Sequence, residues 1–283
     1  MRIMVTGATG MLGEEVLRVL NNRGHQCLGV STVDFDLLDA AAVRRAVLAY
    51  MPEAIVHCAA YTAVDQAESE PEKCIAVNGM GAVHLARAAL AADARLLYVS
   101  TDYVFDGAGD APHEVSDHTA PLNVYGLSKL QGEEAVRGMM SKYFILRTSW
   151  VFGPGGRNFV STMRRLGRER TQISVVADQV GAPTYAPDLA QLIADMIVTR
   201  RYGIYHAANA GFCSFASLAL ATLRAEGSRC SVQPISSADY PSAARRPLNS
   251  RLSQSSLDAA GFRRLPSWED ALHRFLADYP YDA

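Results

Sequence analysis

A chain of 283 residues, 49% apolar and 20% charged, is long enough for one large α/β unit or a core domain with a smaller lobe. Its net charge of −2 gives no electrostatic footprint for nucleic acid or for an anionic membrane. Five cysteines (Cys27, Cys58, Cys74, Cys213, Cys230) are odd in number and lack metal-ligand spacing, so reduced thiols in a cytoplasmic protein are expected.

The first apolar run, "RIMVTG" (2–7), ends in glycine and reads as a buried strand, too short for a signal peptide. A helical pattern follows from Leu12 to Leu20, then a strand at "QCLGV" (26–30) and a helix across "AAAVRRAVLAYM" (40–51). Further strands are expected at "AIVHCAA" (54–60) and "RLLYVST" (95–101), with a helix over about 75–92 between them. A helix carrying Tyr125 precedes "YFILRTSWVFG" (143–153). No stretch reads as the ~18 apolar residues that span a bilayer. Strands alternating with helices predict a doubly wound parallel sheet of the Rossmann type. Residues 1–153 are expected to form a dinucleotide-binding domain. After them, loop-like stretches such as "ADQVGAPTYAPD" predict a substrate-binding lobe over 154–283, with some segments returning to the first domain.

"TGATGMLG" places Gly7, Gly10 and Gly13 three apart, between the first strand and the first helix. Glycine permits the tight turn and a close backbone approach, and the helix N-terminus offers free N–H groups to a pyrophosphate. An acid ending the second strand would favour NAD. Here Val30 is followed by Ser31, Thr32 and Val33, with no arginine for a 2′-phosphate, so the choice between NADPH and NADH stays open.

"VSTDYVFDG" (99–107) lies at the carboxyl end of a strand, where open parallel sheets bind ligands, and turns Thr101 into the crevice. Tyr125 and Lys129 stand four apart on one helical face. A nearby ammonium favours the phenolate, so Lys129 is expected to draw the Tyr125 hydroxyl toward a working pH. Tyr125, Lys129 and Thr101 are the candidate catalytic set.

These segments, with "AAYTAVDQAESEP" (59–71), "APLNVYGLSKLQGE" (120–133), "RTSWVFG" (147–153), "DQVGAPT" (178–184) and "ARRPLNSRL" (244–252), resemble the extended short-chain dehydrogenase/reductase superfamily. More narrowly, the chain resembles its dTDP-4-dehydrorhamnose reductase family. That resemblance implies NADPH- or NADH-dependent reduction of the 4-keto group of a dTDP-6-deoxy-L-hexulose, with Tyr125 as proton donor. It implies that Gly10, Met11 and Leu12 line the pyrophosphate turn, Asp36 and Leu37 the adenine end, and Ala60, Tyr61 and Thr62 the rest of the cofactor. It places Thr101, Asp102 and Trp150 on the sugar.

Trp150 could stack on a sugar ring or thymine, or serve as a core aromatic. Arg245 and Arg246 could grip a diphosphate, or be solvated. Asn78, His57 and His84 read as structural, the histidines as satisfied core residues. Some family members bind magnesium at a dimer interface. Glu15 is present, but Pro187 stands where an acid is expected, leaving Asp188 beside it, which puts the metal and a homodimer built on it in question. Three alternatives remain open: a 4-ketoreductase for another dTDP-deoxysugar, an NADP-binding regulatory subunit of the methionine adenosyltransferase type, and an epimerase.

Overall fold

The computed structural model describes residues 1–280, and a six-stranded parallel sheet lies at its centre. The strands are β1 (Arg2–Thr6), β2 (Gln26–Val30), β3 (Ala54–His57), β4 (Arg95–Thr101), β5 (Tyr143–Thr148) and β6 (Gly203–His206). Their spatial order is β6-β5-β4-β3-β1-β2. The chain therefore leaves β1 in one direction and returns to its other side at β3. That reversal opens a crevice at the carboxyl ends of β1 and β3, the usual ligand position in an open parallel sheet.

Side chains alternate across the strands, so neighbouring residues feed opposite layers. Ile3, Val5, Phe144 and Leu146 pack with α1 (Met11–Asn22) and with Leu189 and Ile193 of the helix Ala186–Ile197. Met4, Ile55, Leu96 and Ile145 pack on the other face under α2 (Ala40–Tyr50), α3 (Gly81–Ala91) and α4 (Val124–Met139). Both β6 and the helix Ala186–Ile197 come from the second half of the chain. Elsewhere that half builds smaller pieces, among them strand Val180–Gly181 between Cys213–Ser214 and Asn249–Ser250.

Three local features differ from the sequence expectation. β3 ends at His57 rather than Ala60, because the chain turns there to bring Ala59 beneath Gly7. The helix expected over 75–92 is a longer run, Pro71–Ala91, broken by a π turn at Ala76–Met80. By length and composition alone that run is apolar enough to cross a membrane, contrary to expectation, and half of its apolar window is buried in the protein.

Helix α4 starts at Asn123, whose side chain accepts from the Gly126 amide at 2.8 Å. Its inward face carries Gly126, Ser128 and Gly132, small residues that face Tyr103 after β4, Cys74 and Asn78, and Tyr98 of β4 in turn. A Cβ at Gly132 would overlap the buried Tyr98 hydroxyl and lie 2.7 Å from the Asn78 carbonyl oxygen. Gly132→Ala is therefore expected to destabilise the fold by about 1–3 kcal/mol through overpacking. Urea denaturation should show a lower midpoint with an unchanged slope, and an unchanged midpoint would contradict this packing.

Candidate functional site

A cleft of about 760 Å³ runs over the carboxyl ends of β1, β3 and β4, and it collects residues from distant parts of the sequence. At one end lies the glycine turn. Gly7 has φ +68, and a Cβ there would meet the Ala59 amide nitrogen at 2.6 Å. A Cβ at Gly13 would overlap the Gly7 carbonyl oxygen. Gly10 is the N-cap of α1 and has no side chain to satisfy the first amides, so they remain available to an anion. Met11, Leu12, Ala60 and Thr62 line the same space. This cradle fits a dinucleotide pyrophosphate.

The adenine end is less as expected. Leu37 lines the cleft, but Asp36 is exposed and accepts from the Leu38 amide at 2.9 Å. Asp34 folds back onto the Ser31 amide at 2.7 Å, leaving Ser31, Thr32 and Phe35 to line the wall. Tyr61 is absent from the lining. Its hydroxyl donates to Glu70 at 3.0 Å, and Asn78 bridges its backbone N–H and C=O at 2.8 and 3.0 Å.

Beyond the turn stand Thr101, Asp102, Tyr125, Lys129 and Trp150, all on the cleft wall. Thr101 donates to Asp102 Oδ1 at 3.1 Å and accepts the Tyr103 amide at 3.3 Å. The Tyr125 ring meets Tyr103 edge-on, with centroids 5.9 Å apart. Burial pushes the Tyr125 phenol well above its usual range, against a smaller opposing effect of the Thr101 hydroxyl. The sequence expectation that Lys129 lowers it is thus corrected. Lys129 Nζ lies 4.0 Å from the centre of the Tyr98 ring, and burial lowers its own pKa to about 7, with Glu133 opposing. Desolvation favours the neutral form of both groups.

Asp102 is 3% exposed, and its Oδ2 has no hydrogen-bond partner. Burial raises its pKa to about 7, although the Thr101 hydrogen bond and the nearby Ser250 hydroxyl oppose the rise. Trp150 adopts φ +47, a conformation that costs a side-chain-bearing residue about 1–3 kcal/mol. Its ring stacks on Phe215 with centroids 3.7 Å apart, which fixes it against the cleft. Phe215 and Arg157 are lining residues that the sequence reading missed. Arg157 sits in the "GPGGRN" stretch, whose glycines were a signal for a ligand-side loop, whereas Phe215 gave none.

A second pocket, of about 700 Å³, adjoins residues 106–108 and includes Gln179, Tyr240, Arg245 and Leu248. Arg245 is exposed there. Arg246 lines the same pocket, and its guanidinium also holds Asp65 through Nη1 and Nη2 at 3.0 and 2.8 Å. The bond keeps the Asp65 carboxyl at about 2 and straps the 242–246 segment to the helix Val64–Ala67.

His57 is buried with Nδ1 2.6 Å from the Thr6 hydroxyl, but its Nε2 has no partner, so it is only half satisfied. His84 is half-buried and pairs with the Leu37 carbonyl at 2.8 Å. All five cysteines are free thiols. The candidate magnesium carboxylates do not fit a hard cation. Glu15 accepts from Arg18, and Asp188 accepts from Arg274 at 2.8 and 2.7 Å and from Asn209 at 2.7 Å. Guanidinium groups already hold Oε2 of Glu15 and both oxygens of Asp188.

Comparison with known proteins gives the same direction. Residues 1–280 match the family described as "RmlD substrate binding domain". The dTDP-4-dehydrorhamnose reductase of Streptomyces griseus is 44% identical over 278 residues, covering 96% of this chain and 91% of that protein. The Mycolicibacterium smegmatis protein of the same name is 42% identical over 280 residues, covering 98% and 85%. Among solved structures, dTDP-4-dehydrorhamnose reductase from Bacillus anthracis in complex with NADP superposes with a TM-score of 0.96 at 41% identity, covering 98% and 99% of the two chains. The chain belongs to the RmlD family, whose relatives include these dTDP-4-dehydrorhamnose reductases.

Proposed function

We propose that this protein reduces the 4-keto group of dTDP-4-dehydro-L-rhamnose to give dTDP-L-rhamnose, using NADPH or NADH. The carrying observation is one continuous cleft in which the glycine turn leads to the Thr101–Asp102–Tyr125–Lys129 cluster. Residues 1–153 hold the dinucleotide, and residues 154–283 supply most of the sugar-nucleotide side. When bound, the dinucleotide supplies a hydride for the carbonyl carbon.

The chain's own groups handle the proton. Tyr125 stays protonated because burial disfavours its anion, so it can donate to the carbonyl oxygen as negative charge develops there. The alkoxide being formed is a stronger base than even a buried phenolate, so a raised pKa does not prevent the transfer. Thr101 contributes a second hydroxyl beside the phenol, and Lys129 carries a proton that is labile near neutrality. Asp102 Oδ2 meets a sugar hydroxyl, and Trp150, fixed by Phe215, flanks the ring. Arg245 meets the diphosphate, with Tyr240 and Leu248 beside the base in the second pocket. Arg246 stands on the wall of the same pocket, held in place by its pair with Asp65.

Tyr125→Phe removes the donor while keeping the ring. It is expected to lower turnover at least ~100-fold with dinucleotide affinity nearly unchanged. NADPH oxidation with dTDP-4-dehydro-L-rhamnose, alongside cofactor titration by fluorescence, makes the comparison. Full activity in the variant would remove Tyr125 from the chemistry.

Asp102 gives a stability prediction with a definite sign. Its folded pKa of about 7 lies above the unfolded value, so the folded state binds its proton more tightly. Stability from this group is present below about pH 4 and is lost as pH rises through 7. Asp102→Asn, which cannot ionise, should gain about 1–3 kcal/mol over the parent at pH 8 relative to pH 4. Chemical denaturation at the two pH values measures it, and an equal difference at both would show Asp102 ionising freely.

A further inference from the structure

Glu133 lies on the buried face of α4, one turn beyond Lys129 and two beyond Tyr125. Its carboxylate is fully engaged. Arg147 of β5 donates to it twice, Nε to Oε1 at 2.9 Å and Nη2 to Oε2 at 2.8 Å. Ser100 of β4 donates to Oε1 at 2.5 Å. Ser100 immediately precedes Thr101, so a single carboxylate ties the helix of Tyr125 and Lys129 to the strand of Thr101 and to β5.

Arg147 is held in turn. Its guanidinium lies 5.0 Å from the Phe105 ring, and Nη1 reaches the Val115 carbonyl and His206 Nε2, both at 3.4 Å. Arginine can only donate, so His206 Nε2 accepts and Nδ1 carries the proton to the His113 carbonyl at 3.0 Å. Burial, with Arg147 beside it, keeps His206 neutral, with its pKa lowered to about 3.

A buried ion pair contributes little net stability compared with apolar side chains of similar shape, because desolvation offsets the attraction. Apolar residues at 133 and 147 would serve the core, but they would leave Lys129 without a counter-charge. The groups around Lys129 are His57 and Cys58 at the end of β3, Cys74 from Pro71–Ile75, Tyr98 from β4, and Glu133 on its own helix. Tyr125 lies one turn before it, and Arg147 stands behind Glu133. Burial keeps the thiols of Cys58 and Cys74 and the Tyr98 phenol protonated and His57 neutral. Of these groups only Glu133 is a carboxylate.

We propose that Glu133 is a positioning residue for the reduction: clamped by Arg147 and Ser100, it docks the Tyr125–Lys129 face of α4 on β4 and β5 and supplies the buried counter-charge for the Lys129 ammonium. This rests on the reading of Tyr125 and Lys129 as the reacting pair. The chain has three lysines, and Lys73 and Lys142 form ion pairs with more exposed side chains. Carbon-13 lysine NMR of the full chain can therefore follow Lys129 by itself.

In Glu133→Gln, the Lys129 titration should move down by about one pH unit or more. Turnover should fall at least about tenfold while NADPH affinity stays within about twofold, since positioning is lost and the cradle is not. Glu133→Gln combined with Arg147→Met removes the guanidinium that the single variant strands, so it folds where the single variant fails, and it should show the same downward move. A Lys129 titration unmoved in the double variant overturns the counter-charge, and unchanged turnover there overturns the positioning role. If the parent binds NADPH but reduces no dTDP-4-dehydro sugar, the functional reading falls, while the NMR result still decides the role of Glu133 as counter-charge.

Discussion

Helix α4 can reach the end of β4 because Gly132 presents only a hydrogen to the Tyr98 hydroxyl. That contact sets the depth of everything on the same face. Tyr98 is wholly buried, its hydroxyl facing the Asn78 and Lys129 carbonyls at 3.3 and 3.4 Å, and its ring forms the floor beneath the Lys129 ammonium. Only 3% exposed, the lysine loses much of its preference for the charged form, and its protonation depends on the few groups in contact with it. Tyr125, half-buried on the cleft wall nearby, is also desolvated, which keeps it a donor. One packing distance therefore sets how deeply the Lys129 ammonium is buried.

The glycine turn applies the same principle at the other end of the cleft. Gly7 and Gly13 leave room for backbone to lie on backbone, so β1, α1 and the turn after β3 close up and direct uncapped amides outward. Between the two ends, strained Trp150 and half-satisfied Asp102 are held by their neighbours rather than by their own preferences. Local cost of this kind is common where a site must be ready before its ligand arrives.

Much of this was legible in the sequence because the signals are local. Strand–turn–helix at residues 2–20, the four-residue spacing of Tyr125 and Lys129, and the hydroxyl at the end of β4 each follow from short-range geometry. What the sequence could not disclose depends on contacts across tens or hundreds of residues. The family resemblance puts Tyr61 along the cofactor, yet its hydroxyl is held by Glu70. Arg246 looks equivalent to Arg245 in the sequence, which does not show that Asp65, far upstream, pairs with Arg246. The expected influence of Lys129 on Tyr125 failed for a related reason: the i, i+4 spacing brings the residues to one face, but burial acts on both, and no spacing pattern reports burial. Glu133 closes the segment "APLNVYGLSKLQGE", but nothing there gave it a role, since its partners lie on two separate strands.

The central claim is a hydride-and-proton reduction at a sugar carbonyl, and isotope transfer tests it most directly. The protein would be incubated with dTDP-4-dehydro-L-rhamnose and NADPH deuterated at the reactive face of nicotinamide C4, and the product read by NMR. The account predicts dTDP-L-rhamnose with deuterium at sugar C4, one label for each NADPH consumed. A product lacking deuterium at C4, or tight NADPH binding with no reduction of the sugar, would contradict it.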